Sequence, residues 1–351
     1  GVATAQLDSV PMVALTGNVP GALLGKDAFQ EIDISGITLP MTKHNYLVRS
    51  ADEIPRVIAE AFHIARTGRP GPVHVDFTKD ALTAETTAQI PTELNLPGFK
   101  PRFDGHPRQV KLAAQAIAKA ERPVILAGHG ILIAEATEEL KTFAHKAQIP
   151  VTWTLLGVGD IDEADPLAYG YMGMHGWKHV NKAIQSADLL IALGMRFDDR
   201  VTGSVSTYAP NAQIIHVDID PSEIGKNVAV DIPIVGDVGN VLRSFIKAVP
   251  EVDPATRKDY FDELAQWRAD SEAISWHGSG GWKEGLLTAD YVMQRLGEMT
   301  DHDATVVADV GQHQMWLARY YGFKRPDSHL SSGGLGTMGF GLPAAMGAAL
   351  G

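Results

Sequence analysis

Short apolar segments that end at a glycine or an acidic residue recur along this chain, and a helix-like stretch follows each of them. Strands that are apolar throughout, rather than at every second position, are typical of parallel sheets covered by helices on both faces. The alternation therefore predicts an α/β fold with parallel sheets flanked by helices. The predicted strands are Pro11–Thr16, Pro72–Phe77, Pro123–Ala127, Asp188–Leu193, Gln213–Asp218 and Ala304–Ala308.

Two stretches interrupt this alternation and have the composition of linkers. Residues 84–108 contain four prolines, and residues 250–284 are charged and aromatic, with Gly278, Gly280 and Gly281 near their end. The chain also begins without methionine and ends inside an apolar, helix-like pattern, so we expect an internal fragment. The predicted division is an incomplete first domain at 1–90, a linker at 91–104, a middle domain at 105–250, a linker at 251–285 and an incomplete third domain at 286–351.

Composition excludes several classes of function. The 30 Lys and Arg residues against 42 Asp and Glu give a net charge of −12, which argues against nucleic acid as a partner. The absence of cysteine excludes a disulfide framework, a cysteine-ligated zinc site, an iron–sulfur cluster and a thiol nucleophile. No apolar run approaches the roughly 20 residues of a membrane helix, and the start lacks a signal peptide's features. We expect a cytoplasmic protein without a membrane partner, a plastid being the alternative.

Glycines follow one of the predicted strands, at the edge of the sheet where ligands of open parallel sheets bind. The run Gly128-His129-Gly130 resembles the opening of a dinucleotide-binding turn. However, Ile133 stands where the third glycine of that fingerprint belongs. A tight strand-to-helix turn is therefore the favoured interpretation of these residues alone.

Charged residues follow the next two strands. Arg196 and Arg200 bracket the pair Asp198-Asp199, and guanidinium groups suit a phosphate. An ordinary surface ion-pair cluster explains the same residues equally well. Asp218 ends a strand and could accept hydrogen bonds from ribose or ribityl hydroxyls, although a helix N-cap ahead of Ser222-Glu223 is favoured in isolation.

The last part of the chain contains a dense glycine cluster. Five glycines fall within the nine residues 333–341, and such a loop lets backbone amides approach an anion, so a phosphate cradle is one interpretation. By default His313 is a structural histidine and Met338 fills a core. Hydrolase and nucleoside-triphosphatase motifs are absent. The residues alone indicate an α/β protein that binds one or more phosphorylated cofactors, without identifying a reaction.

Eight motifs in register resemble those of the acetolactate synthase (acetohydroxyacid synthase) large catalytic subunits, a family of thiamine-diphosphate enzymes. The resemblance covers essentially the whole chain. The motifs are GNVP with GKDAFQEIDI at 17–34, TKHNYLV at 42–48, GRPGPVHVD with TKD at 68–80, GMHG at 173–176, GMRFDDRVTG at 194–203, VDIDPSEIGKN at 217–227, DVGQHQMW at 309–316 and SGGLGTMGFGLPAA at 332–345.

The resemblance implies three α/β domains, which bind in turn the aminopyrimidine of thiamine diphosphate, a structural FAD and the diphosphate. The first and third domains would be incomplete here. The implied FAD contacts are Arg69, Gly128, His129, Gly130, Thr154, Leu155, Met174, His175, Gly194, Arg196, Arg200, Val201, Asp218, Ile219, Asp237 and Val238. The implied thiamine diphosphate contacts are Val310, Gly311, Gln312, His313, Gly336 and Met338, the last of which would prop the cofactor in its bent shape.

The resemblance also implies a transferase of branched-chain amino-acid biosynthesis. The family decarboxylates pyruvate and transfers the two-carbon unit to a second pyruvate or to 2-oxobutyrate. Its catalytic glutamate matches a position before Gly1 and its Mg²⁺ ligands match positions beyond Gly351, so we assign no metal ligand and only Gln30 as a catalytic candidate. We expect the 351-residue chain to be inactive alone, and pyruvate turnover by it would refute this. A homodimer or homotetramer and a small regulatory subunit are the implied partners.

Three departures from the family pattern accompany the resemblance. Asn18 stands where glutamine is usual, Gly21-Ala22 where a basic residue is frequent, and Trp177 where threonine is common. The first two put inhibitor sensitivity in doubt, and the third suggests altered contacts beside the flavin.

Alternative functions fit parts of the sequence. A flavin-dependent pyruvate oxidase or a glyoxylate carboligase would share the fold, but the segments DAFQEIDI and RFDDRVTG favour the synthase. The flavin-free catabolic acetolactate synthase should lack the run from Arg196 to Arg200. A chain that bound neither cofactor would be a nucleotide-binding or scaffold module instead.

Overall fold

The structure is a computed structural model that describes residues 1–273, 282–283 and 286–351. The chain forms two compact units, Gly1–Pro101 with Gly333–Gly336 and Arg102–Ser332 with Thr337–Gly351. The strands are β1 Met12–Asn18, β2 His44–Val48, β3 Pro72–Thr78, β4 Pro123–Ala127, β5 Val151–Trp153, β6 Ala168–Tyr171, β7 Leu189–Leu193, β8 Gln213–Asp218, β9 Ile232–Val235, β10 Trp282–Lys283, β11 Leu286–Leu287, β12 Val306–Ala308 and β13 His329–Ser331.

The α-helices of the described residues alternate with these strands. They are α1 Val2–Asp8, α2 Ile34–Thr38, α3 Ile54–Arg66, α4 Lys79–Thr83, α5 Pro107–Lys119, α6 Gly130–Ile133, α7 Thr137–Ala147, α8 Lys178–Ser186, α9 Asp199–Thr202, α10 Val238–Ala248, α11 Lys258–Ala273, α12 Ala289–Met299, α13 Gln312–Tyr320 and α14 Gly341–Ala348. None of the helices in the described ranges has the length and apolar character needed to cross a membrane.

The first unit contains a three-stranded parallel sheet in the order β1-β3-β2. The central strand β3 is buried along its whole length, with Val73, Val75 and Phe77 alternating with the buried polar residues His74, Asp76 and Thr78. Helix α3 packs its apolar face, including Val57, Ala61 and Ile64, against the strand residues Val73 and Val75. A helix propensity alone would not fix this arrangement, whereas burial of that stripe does.

The second unit is built on a six-stranded parallel sheet in the order β6-β5-β4-β7-β8-β9. Alternate residues of β4 enter two cores: Ile125 and Ala127 pack on one side, and Val124 and Leu126 on the other. Because both faces are covered, the strands are apolar at most positions on both sides of the sheet. The predicted α/β fold with parallel sheets flanked by helices is therefore confirmed.

The strand order reverses between β4 and β7. The chain runs outward from β4 through β5 to β6, returns to β7, and then runs outward in the other direction through β8 to β9. The chain leaves the carboxyl ends of β4 and β7 toward opposite sides, which is the arrangement that creates a ligand crevice in open α/β sheets. This point is the expected ligand site of an open α/β sheet.

The last strands belong to the same compact unit as the six-stranded sheet. Strands β12 and β13 pair in parallel, while β10 and β11 form an antiparallel pair. Leu317, Tyr321 and Phe323, which follow β12, join one core with residues of the six-stranded sheet. The predicted boundary between a middle and a third domain remains a prediction.

The predicted second linker contains an ordered helix. Helix α11 lies within it and buries Tyr260 and Leu264 against the second unit. The glycines Gly278, Gly280 and Gly281 lie outside the described residues. The linker boundaries themselves remain predictions.

Candidate functional site

The carboxyl edge of the six-stranded sheet carries all but one of the residues predicted to contact FAD. Parallel strands bring their carboxyl ends to one edge, so residues far apart in sequence meet there. Gly128, His129 and Gly130 follow β4; Thr154 and Leu155 follow β5; Met174 and His175 follow β6; Gly194, Arg196, Arg200 and Val201 follow β7; Asp218 ends β8 and Ile219 follows it; Asp237 and Val238 follow β9.

Glycines allow the turns after β4 and β7 to touch. A Cβ atom on Gly128 would lie 2.5 Å from the Gly194 carbonyl oxygen, and one on Gly130 would lie 2.6 Å from the Gly194 Cα. The Gly130 N–H donates to that same carbonyl over 3.0 Å. Close backbone packing at the crevice therefore accounts for these glycines, as the alternative of a tight turn predicts. Whether they also contact a cofactor remains a prediction.

The loop after β7 holds two arginines whose ion pairs with described carboxylates are long. Asp198 uses its Oδ1 to accept the N–H groups of Arg200 and Val201 at the start of α9. Its Oδ2 lies 3.7 Å from the Arg196 guanidinium, and Asp199 lies 3.8 Å from that of Arg200. These loose, partly exposed pairs leave the guanidinium donors able to bind an anion.

A backbone hydrogen bond joins the loops after β6 and β7 across the ends of the two strands between them. The Met174 N–H donates to the Arg200 carbonyl over 2.7 Å, and a Cβ on Gly173 would lie 2.5 Å from that oxygen. The Arg200 Nη1 also approaches the Met174 sulfur at 3.5 Å. Gly173 adopts a φ of +96°, a conformation that favours glycine.

His175 lies in this pair of loops as a neutral group. Burial, followed by the guanidinium groups of Arg200 and Arg319, lowers the pKa of His175 below its usual value. Arg319, on α13, was not among the predicted site residues. Its position three residues beyond the DVGQHQMW motif gave no sequence signal, because an arginine in a helix most often lies on a solvated face.

Asp218 and Asp237 lie at the carboxyl ends of β8 and β9, on the β8–β9 side of the sheet edge. Asp218 is buried and its Oδ1 accepts the Asp220 N–H over 2.9 Å. Asp220 in turn accepts the N–H and hydroxyl of Ser222. A turn follows rather than a helix, so the alternative of a helix N-cap before Ser222 is wrong. Asp237 does act as an N-cap, for α10, by accepting the Asn240 N–H over 3.0 Å.

The end of β12 supplies a second edge, where the predicted thiamine contacts begin. Val310 and Gly311 follow the strand, and Gln312 and His313 begin α13 with exposed side chains. A Cβ on Gly311 would lie 2.9 Å from the His313 ring, so a larger residue would displace that ring. The next residue, Gln314, is buried and donates to the Ser331 hydroxyl, which fixes the helix start to β13.

Asp309, which the sequence analysis did not single out as a site residue, organises the glycine cluster. Its carboxylate accepts the N–H groups of Gly339 and Gly341 at 3.0 Å each, and that of Val310 at 2.7 Å. These hydrogen bonds lower the pKa of Asp309 below its usual value. Two amides expected to face a phosphate are thus held by a carboxylate of the chain itself. The one available signal was an acidic residue directly after a strand.

The remaining predicted thiamine contacts lie within the same glycine cluster. Met338 exposes 81% of its surface, which contradicts its default assignment as core filler and leaves an apolar side chain available to a ligand. Gly336 has a φ of +68°, which favours glycine, and belongs to the first compact unit.

The first unit holds the other predicted residues. Gln30 is exposed with a φ of +64°, and Arg69 donates from Nε to the Ser9 hydroxyl over 2.9 Å. Near the carboxyl ends of β1 and β3, the Thr16 hydroxyl and the Asn18 amide donate to the buried Asp76 carboxylate. The departure at Asn18 therefore completes a polar network inside this unit.

Two protein families match the parts of the chain that contain the strand ends described above. The family described as "Thiamine pyrophosphate enzyme, central domain" matches residues 110–245. The family described as "Thiamine pyrophosphate enzyme, C-terminal TPP binding domain" matches residues 309–351. The two matched ranges contain the sheet edge beyond β4 to β9 and the glycine cluster, respectively.

Curated relatives match nearly the whole chain. It is 50% identical over 351 residues to the acetolactate synthase of Mycobacterium bovis, covering 99% of this chain and 56% of that protein. It is 48% identical over 353 residues to the probable acetolactate synthase large subunit of Methanocaldococcus jannaschii, covering 99% and 60%. The large subunit of Corynebacterium glutamicum is 46% identical over 353 residues, covering 100% and 56%. The chain thus spans between half and two thirds of the length of these relatives.

Proposed function

The chain belongs to the acetolactate synthase large-subunit family of thiamine pyrophosphate enzymes, and on this premise we propose that it provides the flavin site and part of the thiamine site of an acetolactate synthase. The reaction would decarboxylate pyruvate and transfer the two-carbon unit to pyruvate or 2-oxobutyrate. Identity of 50% over 99% of the chain carries this proposal. The order of the six-stranded sheet supports it, because the matched residues gather at one ligand edge.

The residues at the carboxyl edge of the six-stranded sheet fit FAD. Arg196 and Arg200 have loosely paired guanidinium groups that would bind the diphosphate, as arginine forks bind phosphates elsewhere. Asp218, at the end of β8, would accept hydrogen bonds from the adenosine ribose. FAD would hold these loops together as a structural group.

The residues at the end of β12 fit thiamine diphosphate. Bound thiamine diphosphate supplies the nucleophilic carbon and the electron sink that loss of CO₂ from a 2-oxo acid requires. The chain's own part is placement: Gln312 and His313 begin α13 at the strand end, and Met338 offers an apolar prop. We assign Mg²⁺ to no described residue, since no group of three or more His, Asp or Glu within the described ranges is arranged to hold a metal.

Flavin content tests the proposed site directly. We expect the purified chain, after incubation with FAD and gel filtration, to retain the yellow absorbance of one flavin per chain without reducing it in the presence of pyruvate. Flavin reduction by pyruvate would favour a pyruvate oxidase instead. A colourless chain would favour the flavin-free synthase or a non-enzymatic module.

A chimera tests the activity. The chain would replace the matching segment of the Methanocaldococcus jannaschii protein, and acetolactate formation from pyruvate would be measured with both cofactors present. We expect activity in the chimera and its loss when Arg200 and Arg196 are both replaced by alanine. A folded, flavin-loaded chimera without acetolactate formation would contradict the proposal.

Partners follow from the same premise. We propose self-association as a homodimer or homotetramer and association with a small regulatory subunit, with the cytoplasm as the location. Large apolar side chains of the first unit, including Phe29 and Leu39, are 89% and 66% exposed, which supports burial against another chain.

A further inference from the structure

Arg319 has an unusual environment for an arginine. Its guanidinium lies 4.3 Å from the centroid of the Trp177 indole and 5.1 Å from that of the Tyr320 ring. Its Nε is buried and donates to no acceptor among the described residues, nor does it form an ion pair with a described carboxylate. A buried donor without an acceptor is destabilising, so this group calls for a partner that the described residues do not supply.

The position of Arg319 places it at the flavin edge. Helix α13 packs against β6, and Arg319 acts electrostatically on Tyr171, His175 and His179 of the segment that follows or flanks this strand. His175 is also within electrostatic reach of Arg200 from the loop after β7. Two cations from different elements therefore converge on one residue of the predicted flavin site.

The sheet order indicates which end of the dinucleotide reaches Arg319. The crevice between β4 and β7 suits the diphosphate, and Asp218 on β8 suits the adenosine ribose. Strand β6 lies on the side of β4 away from β8. It is two strands from β4, a distance of about 10 Å. The opposite end of FAD, its isoalloxazine ring, would therefore extend toward β6.

We propose that Arg319 is a flavin-binding residue, held flat by Trp177, whose guanidinium donates hydrogen bonds to the pyrimidine edge of the isoalloxazine ring. That edge carries carbonyl oxygens and ring nitrogens that accept hydrogen bonds, and negative charge gathers there when a flavin is reduced. A guanidinium presents its donors in one plane, which matches this flat edge. The inference rests on the proposed flavin site and adds Arg319 and its platform Trp177 to it.

The test compares Arg319→Gln and Arg319→Lys with the unchanged chain. FAD and ADP dissociation constants would be measured by flavin fluorescence quenching and by calorimetry, because ADP shares only the adenosine diphosphate half of FAD. We expect R319Q to weaken FAD binding about tenfold or more while ADP binding stays unchanged. The FAD affinity of R319K should lie between those of R319Q and the unchanged chain. Lysine keeps the positive charge but lacks the planar guanidinium group. Unchanged ADP binding also shows that the variant is folded.

A matched control and a second readout complete the test. Lys182→Gln removes another cation that lies over an indole, 4.2 Å from the Trp267 centroid, and should leave FAD binding unchanged. The midpoint potential of the bound flavin should be lower in R319Q, because a cation at the pyrimidine edge stabilises the reduced ring.

Each other outcome overturns the inference. Equal FAD binding by R319Q and the unchanged chain, or equal losses for FAD and ADP, would remove Arg319 from the ring end while leaving the proposed flavin site intact. Absence of FAD binding by the unchanged chain would overturn the flavin site and this inference together.

Discussion

Asp160 and Glu163 are acids placed inside the second unit. Asp160 is fully buried, and neither of its carboxylate oxygens has a hydrogen-bond partner among the described residues. The Glu163 carboxylate accepts the Phe323 N–H over 3.0 Å. Burial raises the pKa of Asp160 well above its usual value and that of Glu163 to about 8, and the neighbouring Asp327 and Asp162 act in the same direction.

These two acids should make the chain less stable as the pH rises. The unfolded chain releases both protons near their ordinary pKa values, whereas the folded chain retains the Glu163 proton until about pH 8. Above the unfolded pKa the unfolded state binds fewer protons, so stability falls with rising pH through this window. We expect the free energy of unfolding in urea to drop by about 2 kcal/mol between pH 5 and 8 from this cause.

The double variant Asp160→Asn, Glu163→Gln should remove most of that slope, and Glu251→Gln, at an exposed position, should not. Buried histidines such as His329, whose pKa burial lowers to about 4, also contribute to the pH dependence of stability. They are unchanged in all three chains, so their contribution cancels in the comparison. Equal pH slopes in the double variant and the unchanged chain would contradict the prediction.

Single residues show what sequence patterns could and could not reveal about the site. Arg196, Arg200 and Asp218 follow strands in the sequence, so their shared edge was predictable from the alternation of strands and helices. Arg319 reaches the edge from a helix seven residues beyond Gln312, and nothing in its local sequence marks it. Such side chains are identified by tertiary contacts alone.

At the scale of elements, Arg257 anchors the segment that sequence composition suggested was a linker. It is 6% exposed, and its guanidinium donates to the carbonyls of Ala147, Gln148 and Ala120 at the C-terminal ends of α7 and α5. One side chain thereby satisfies the unpaired carbonyls of two helices. The charge pattern resembled a solvated linker because the burial of Arg257 is not visible in composition.

Arg257→Ala should lower the free energy of unfolding by about 3 kcal/mol, because it leaves buried carbonyls without donors. Denaturation in urea measures this loss. The neighbouring Lys258 forms an exposed ion pair with Asp262, so Lys258→Ala should leave the midpoint almost unchanged. Equal effects of the two substitutions would show that α11 is not anchored through Arg257.

Asp309 connects β12 to the start of α14 through the amides of Gly339 and Gly341. Asp309→Ala should therefore loosen the glycine cluster and weaken thiamine diphosphate binding about tenfold, with little change in the thermal midpoint. Quenching of intrinsic fluorescence by the cofactor measures the affinity. Glu298→Gln, an exposed change on α12, is the control. Unaltered affinity in the Asp309 variant would remove this loop from the thiamine site.

Most strands in the sheet interiors were predictable, but the edge strands β6 and β9 of the six-stranded sheet were not. Strands β3, β4, β7 and β8 lie within two residues of their predicted bounds. Edge strand β9 contains Pro233 and edge strand β6 contains Gly170, residues that argue against a strand when sequence is the only guide. Edge positions tolerate them because one side of the strand needs no ladder partner.

At the scale of the whole molecule, exposed apolar side chains predict self-association. In the first unit Leu15, Phe29, Ile32 and Leu39 are each more than half exposed. Light scattering should therefore give at least twice the 37.7 kDa mass of one chain. The double variant Phe29→Ser, Leu39→Ser should shift the mass toward one chain, whereas Glu85→Ser, at an exposed charged position of the same unit, should not. A single-chain mass for the unchanged protein would contradict the prediction.

Domain organisation depends on packing that the sequence does not show. The structure groups the six-stranded sheet with strands β12 and β13 in one compact unit, and the division into three domains remains a prediction. Leu317 and Phe323 join the same core as the sheet, and only tertiary packing determines such a shared core. Proline-rich and charged stretches indicate where the chain can leave a hydrophobic core. They do not show whether later residues pack into that same core.

The hydrogen bond between the Met174 N–H and the Arg200 carbonyl has a kinetic consequence. It links the two loops across the carboxyl ends of β5 and β4, so release of a dinucleotide from the proposed flavin site would require the two loops to separate. Residence time would then be governed by a local opening rather than by the strength of individual contacts. A coenzyme held in this way would stay with the chain through dilution and washing.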